Sequence, residues 1–365
     1  MDLIWKVAKQ FAHRGDVIDV HEHGNGNIND TFLVTVNGDE NDKFVMQRIN
    51  THVFTRPKLI IENMRTFTEH VDNRIASEAS SDFRRWDVPH IRTTRTGQDY
   101  HIDSQGSFWR SISFVNHSKS YDTVQHENHA REVGYAIGRF QNLLSDLSTD
   151  QMFDTLEGFH ITPHYLQKYD DVMRRGPQGL NNAEVRYCHQ MIADRRDWLS
   201  ILEDAKGRGE LQMRTIHGDP KINNIMICDD TGRAVSVIDL DTVKPGLVHY
   251  DIGDCLRSSC NPLGEETTKF NQIHFEVDLA RSILEGYSSV ASEFLTERDY
   301  AYIYDSIRLL TFELGLRFFA EYIAGNVYFK VKHPEHNLER ALVQFKLTES
   351  IEAQESDLRK IIKSL

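Results

Sequence analysis

The chain has 365 residues, enough for two domains or two lobes. Its formal net charge of -13 argues against nucleic acid or an anionic membrane as the main partner. Its four cysteines, Cys188, Cys228, Cys255 and Cys260, include no Cys-x-x-Cys pair, so neither a zinc site nor a thioredoxin-like motif is supported. No apolar run approaches the about eighteen residues of a membrane span, and the N-terminus reads as an amphipathic helix rather than a leader, so a cytoplasmic location is expected.

Leu3, Ile4, Val7, Ala8 and Phe11 recur at helical spacing. Residues 17–23 read as a strand. The segment Gly24-Asn25-Gly26-Asn27 leads to a second strand carrying Phe32, Val34 and Val36. Glycines between two strands let backbone N–H groups approach phosphates, although a plain hairpin turn would look similar. After the Asn37-Gly38 turn comes a third strand, 44–49. Kinases carry a lysine here that pairs with the nucleotide phosphates. This chain has Gln47 and Arg48 instead, and Arg48 is the expected phosphate contact, with a geometry different from lysine's.

Pro57 opens a helix to about Ile75, buried along Ile60, Ile61, Met64, Phe67 and Val71. Glu62 and Glu69 lie on it, each more simply a solvated charge than a partner for a phosphate-binding cation. Strands follow at 91–94, 100–103 and 108–114, and 115–117 reads as a hinge past an adenine ring. From His126 the pattern turns helical, with a stripe of Val133, Ile137, Phe140, Leu144 and Leu147. Further helices are expected over 162–174, 182–203, 267–287, 296–324 and 337 to the end. The predicted domains are residues 1–115, a sheet with one helix, and 116–365, mostly helical.

The chemistry concentrates in His217-Gly218-Asp219-Pro220-Lys221-Ile222-Asn223-Asn224, followed by Val237-Ile238-Asp239. Between them lies a hairpin, with Asp229-Asp230-Thr231-Gly232 at its turn. With Ile227 set against Ser236, Asn224 falls opposite Asp239. An Asn and an Asp are hard oxygen ligands suited to Mg²⁺. Asp219, five residues before Asn224, has the kinase spacing of a catalytic base to a metal-binding Asn. An Asp-Pro turn ahead of an ordinary hairpin is the competing reading. Lys221 stands two residues past the base, positioned to neutralise γ-phosphate charge. Asp251 and Asp254 are expected to cap a helix or, second, to orient the loop. His160 and His164 have a metal-like spacing, but Pro163 favours a helix start. His126 to His129 likewise reads as a helix start. Arg317 lies in an apolar segment and needs a partner, Glu313, Glu321 or a substrate hydroxyl.

The His-Gly-Asp-x-x-x-x-Asn pattern with its following apolar-Asp resembles the aminoglycoside phosphotransferase family, which includes choline, homoserine and sugar kinases. The strings Gln47-Arg48-Ile49-Asn50-Thr51, Phe159-His160-x-Thr162-Pro163-His164, Ile238-Asp239-Leu240-Asp241-Thr242-Val243 and Asp251-x-Gly253-Asp254-x-x-Arg257 are similar to the N-acetylhexosamine 1-kinase branch. The resemblance spans residues 20 to about 345. It implies an α+β, two-lobed protein-kinase-like fold with an antiparallel-sheet N-lobe and a helical C-lobe. It implies ATP and Mg²⁺ as cofactors and an N-acetylhexosamine as the small-molecule partner, phosphorylated on its anomeric hydroxyl. Carried over, Asp219 is the base, Asn224 and Asp239 hold Mg²⁺, and Arg317 and Tyr328 touch the sugar. Asn27 stands where the branch often has a His that would face substrate. Another small-molecule hydroxyl kinase and a nucleotide-binding protein without catalysis are the alternatives.

Overall fold

The computed structural model describes residues 2–12, 15–24, 28–38, 42–78, 84–176 and 182–365. They divide into two units. The first comprises Met1–Lys119, Asp146–Glu157 and Met226–Pro245, and the second Ser120–Ser145, Gly158–Ile225 and Gly246–Leu365. Each is discontinuous in sequence.

The first unit is built on helix α1 (Asp2–Phe11), strands β1 (Val17–Glu22), β2 (Asp30–Val36) and β3 (Lys43–Ile49), helix α2 (Pro57–Ser77), and strands β4 (Ile91–Arg92), β5 (His101–Ile102) and β6 (Phe108–Ser113). The antiparallel sheet runs β1-β2-β3-β6-β4, with β5 also on β6. Successive side chains of a strand point to opposite faces, so each strand serves two environments. Phe32, Val34, Phe44, Met46 and Trp109 share one face and pack with Val7, Ala8 and Phe11 of α1 into a core. Gln47 and Arg110 are partners in register and lie on the opposite face, and the Arg110 guanidinium donates to Met64 Sδ of α2 (3.0 Å). The expected stripe of α2 is buried, and Pro57 sits in its first turn, where a missing N–H costs nothing. Glu62 and Glu69 are exposed.

Strand β7 (Ser118–Lys119) pairs with β8 (Ile225–Cys228), the first strand of the expected hairpin, whose second is β9 (Ala234–Val237). The loop closes with Cys228 N–H to Arg233 O (2.8 Å) and Gly232 N–H to Cys228 O (3.0 Å). Gly232 sits at φ 67°, a left-handed conformation that glycine adopts freely. This sets Cys228 against Arg233 and therefore Ile227 against Ala234, not Ser236. The register argument that aligned Asn224 with Asp239 is corrected accordingly. After β9 the chain leaves extended geometry at Asp239 itself, at φ 63° and ψ 58°.

The second unit is helical: α3 (Glu127–Leu143), α4 (Thr162–Arg174), α5 (Ala183–Ala193), α6 (Ile201–Gly207), α7 (Val248–Ser259), α8 (Val277–Ala291), α9 (Glu297–Ala301), α10 (Ile303–Ile323), α11 (His336–Ala353) and α12 (Glu355–Lys363). The helix expected over 182–203 is broken into α5, a short turn and α6. Asp194-Arg195-Arg196-Asp197 leaves no apolar residue to continue the buried stripe, and Arg195 turns to pair with Glu352 (2.6 Å). The helix expected from 267 begins ten residues later, because residues 267–274 are mostly exposed. Helix α10 is buried on nearly every side, so it lacks an amphipathic stripe. His126 is the N-cap of α3, its ring accepting from His129 N–H (3.1 Å). Among the described residues no helix is long and apolar enough to cross a membrane.

Helices α3 and α8 approach until backbone meets backbone. A Cβ on Gly134 would lie 1.8 Å from Ile283 O, and one on Gly286 would lie 2.0 Å from Arg131 O. Alanine is normally the better helix former by about 1 kcal/mol. Here Gly134→Ala is expected to destabilise by about 1–3 kcal/mol through overpacking. A thermal melt measures it, and a melting temperature equal to or above wild type would contradict the close approach.

Candidate functional site

The loop after the short strand Arg214–Ile216 is fixed by backbone contacts before any ligand is considered. The Asp251 carboxylate, on α7, accepts from His217 N–H (2.9 Å) and Gly218 N–H (2.8 Å) and from the Gln141 amide of α3 (3.0 Å). Gln141 in turn accepts from the Tyr287 hydroxyl of α8 (2.6 Å). All of these groups are buried. Asp251 therefore orients the loop, and capping its own helix, the role expected first, is not what the structure shows: the N-cap position is Leu247, with no side-chain cap.

A second strut holds the carbonyl side. The His160 ring bonds Gly218 O through Nε2 (2.8 Å) and Glu313 through Nδ1 (3.0 Å), and Thr162 Oγ1 donates to the other Glu313 oxygen (2.7 Å). A carbonyl and a carboxylate are both acceptors, so both ring nitrogens donate and the ring is an imidazolium. Burial opposes that charge, but the Glu313 carboxylate outweighs it and the His160 pKa is raised. His160 thus serves an ion pair, α4 starts at Thr162 with Pro163 in its first turn as expected, and no cluster of three His, Cys, Asp or Glu side chains that could hold a metal occurs among the described residues.

Within this loop Asp219, Lys221 and Asn224 converge. Lys221 Nζ lies 3.0 Å from Asp219 Oδ2, and the charge of Asp219 is the main reason the Lys221 pKa is raised. The Asn224 amide nitrogen donates to Asp219 O (2.8 Å) within a 3-10 turn, Ile222–Asn224. That bond fixes the amide orientation and leaves Oδ1 for a hard cation. Mg²⁺ needs few protein oxygens beside substrate phosphates, so Asn224 and an aspartate fit it. Asp239 belongs to the first unit.

Arg317 stands one turn beyond Glu313 on α10. Its guanidinium lies 5.1 Å from the Phe159 ring, 5.0 Å from Tyr165 and 5.6 Å from Phe329. Glu313 is committed to His160 and Thr162, and Glu321 accepts from Tyr328 N–H (2.7 Å). Among the described residues Arg317 has no hydrogen-bond or ion-pair partner. Tyr328 is 47% exposed and lies within electrostatic reach of Arg317. So does Asp254, which also reaches Lys221. Burial works against the Asp254 charge, but Arg257, His160 and Lys221 hold its carboxyl below the usual carboxylate range. Arg257 bonds both Asp254 (2.8 Å) and Glu265.

Arg48 is placed elsewhere. It pairs with Asp30 and lies 5.6 Å from the Trp109 ring, on the sheet face that packs with α1. Of the glycine segment, Gly24 is described, with φ 76° and open space where a Cβ would stand. Asn25, Gly26 and Asn27 lie outside the described residues. Sequence reasoning missed Glu313 as the partner of His160. The string Phe159-His160-x-Thr162 placed two of its contacts together, but the third is far along the chain.

The model of the APH phosphotransferase enzyme family matches residues 19–287, well over half of the chain. The chain belongs to that family. This phosphotransferase is similar in fold to an aminoglycoside phosphotransferase from Alicyclobacillus acidocaldarius (15% identity, 99% of this chain and 96% of that chain, TM-score 0.63). It is also similar to a microcompartment-associated aminopropanol kinase (14%, 99% and 99%, 0.63) and to the amicoumacin kinase hAmiN in complex with AMP-PNP and Ca²⁺ (13%, 100% and 93%, 0.56). The kinase-like fold expected from the sequence is the one observed, and ATP with Mg²⁺ is consistent with the family.

A group whose pKa is raised in the folded state stabilises fully below its unfolded value and loses that contribution as pH rises through the folded value. For His160 the loss begins above about 6.5. The wild-type melting temperature is expected to fall over that alkaline range more steeply than that of His160→Gln, which has no charge to lose. Parallel pH profiles of the two melts would rule the imidazolium out.

Proposed function

We propose that this phosphotransferase transfers the γ-phosphate of ATP to the anomeric 1-hydroxyl of an N-acetylhexosamine. The observation that carries the acceptor class is Arg317: a guanidinium enclosed by Phe159, Tyr165 and Phe329 with no hydrogen-bond or ion-pair partner among the described residues. Phosphorylating an amino alcohol or choline would bring a second cation toward this guanidinium. A neutral sugar brings oxygen acceptors for the guanidinium and an apolar ring face for the aromatic walls. The nearby charges balance with Arg317 included: the four carboxylates of Asp219, Asp254, Glu265 and Glu313 stand against the four cations Lys221, Arg257, His160 and Arg317. That charge balance favours a neutral, oxygen-rich acceptor. Tyr328 is assigned to the sugar together with Arg317.

Asp219 accepts the proton of the attacking hydroxyl as its oxygen bonds to the γ-phosphorus and the bond to the ADP oxygen breaks. By the family resemblance Asn224 and Asp239 would each serve as an Mg²⁺ ligand, and the ion would supply charge neutralisation at the phosphates. Lys221 neutralises the transferred group, and its ion pair orients the Asp219 carboxylate. Catalysis comes mostly from positioning and electrostatic stabilisation.

Asp219→Asn is expected to lower kcat by roughly 10²–10⁴-fold while ATP binding survives. Unchanged turnover would remove Asp219 from the role. The acceptor is tested by ³¹P NMR with Mg-ATP and a panel of N-acetylhexosamines, hexoses, choline, aminopropanol and homoserine. A sugar 1-phosphate resonance with an N-acetylhexosamine is the expected result, and transfer only to an amine-bearing acceptor would overturn the reading.

A further inference from the structure

The lysine of the third strand, Lys43, stands at its start, and the cation bonded to Gln47 comes from the neighbouring strand. Gln47 of β3 and Arg110 of β6 face each other in register, and Gln47 Oε1 accepts from Arg110 Nε (3.0 Å) and Nη2 (2.7 Å). The Gln47 amide donates onward to Thr31 Oγ1 of β2 (3.2 Å). Strand alternation turns Arg48 to the other face, so it cannot join this group. Arg110 pairs with Asp241, the two side chains being 1% and 3% exposed.

Asp241 is held through both carboxylate oxygens and its carbonyl, one carboxylate oxygen by the Arg110 ion pair. Its second carboxylate oxygen accepts from the Asn29 amide (2.5 Å), whose own oxygen accepts from Asn50 N–H (2.9 Å). Its carbonyl accepts from Thr155 Oγ1 (2.9 Å). Two residues further on, Val243 O accepts from the Asn63 amide of α2 (2.9 Å). Two residues before it stands Asp239, a non-glycine residue in left-handed geometry at φ 63°. Such a conformation persists only where its surroundings over-determine it. A buried ion pair is weak evidence for stability, since apolar residues of similar volume often serve as well. Its use here is to fix where the Asp239 carboxylate begins.

We propose that Arg110 is a positioning residue for Mg²⁺: through Asp241 it sets the turn that presents Asp239. This rests on the assignment of Asp239 as a Mg²⁺ ligand. Outer contacts of a metal ligand typically govern about 10–100-fold in metal affinity.

The test uses the full chain with ADP and Mn²⁺ as the probe, free and bound Mn²⁺ being read by electron paramagnetic resonance. The variants are Arg110→Lys, the double variant Arg110→Met/Asp241→Leu, and Asp239→Asn. Arg110→Lys keeps the charge but loses the fork that spans Gln47 and Asp241, and should weaken Mn²⁺ binding about tenfold or more. The double variant removes both buried charges, so it should melt close to wild type and still bind Mn²⁺ about 10–100-fold more weakly. A double variant with wild-type melting and wild-type Mn²⁺ affinity overturns the inference. If it does not fold, Arg110→Lys decides by the same affinity. Asp239→Asn separates the two claims. Weakened binding there with none in the Arg110 variants sinks the positioning role alone, while unchanged binding in Asp239→Asn removes the metal assignment and this inference with it.

Discussion

The Asp251 carboxylate is the constraint on which the candidate site depends. Two adjacent backbone N–H groups, His217 and Gly218, point at its two oxygens from inside a buried core. An unpaired buried N–H costs about 1–3 kcal/mol, and an unpaired buried carboxylate much more, so neither side can leave without the other. The next residue is Asp219, and its backbone has little freedom left. The His160 strut on Gly218 O restrains the same peptide from the opposite side. The proposed base is thus positioned by main-chain geometry more than by its side-chain ion pair with Lys221.

Much of this was legible in the sequence because it is local. The spacing of Asp219, Lys221 and Asn224 fits a single turn, and the structure brings the three together as a turn must. The apolar stripes of α1, α2 and α3 were equally legible, since period 3.6 is a property of neighbours on one helix. Boundaries failed where a stripe ended without glycine or proline to mark it, as at Asp194 to Asp197. The hairpin was recognised but its register was not, because a four-residue loop ending in left-handed Gly232 differs from a longer one by a shift of the whole pairing.

What pairs across long separations was not legible. Arg48 was preferred over Gln47 for its charge, yet a strand displays adjacent residues on opposite faces, and the charge belongs to the wrong one. Arg110, more than sixty residues later in the chain, becomes the partner of Gln47 only when β6 is laid beside β3. Glu313 and Glu321 were both reasonable partners for Arg317. Glu313 is taken by His160 and Thr162, and Glu321 by a backbone N–H. A sequence names candidates for such contacts, but only the packing of α10 against its neighbours assigns them.

The glycine crossing of α3 and α8 has a consequence for motion. Where side chains separate two helices, the helices can slide past one another by small rotamer changes. Here Ile283 O and Arg131 O rest against glycine Cα atoms, and there is nothing between the backbones to rearrange. Sliding at this crossing would drive a carbonyl into a glycine Cα, so the close approach resists it. Gln141 rides on α3 and Tyr287 on α8, so the contacts that reach Asp251 are carried by the two helices this crossing joins.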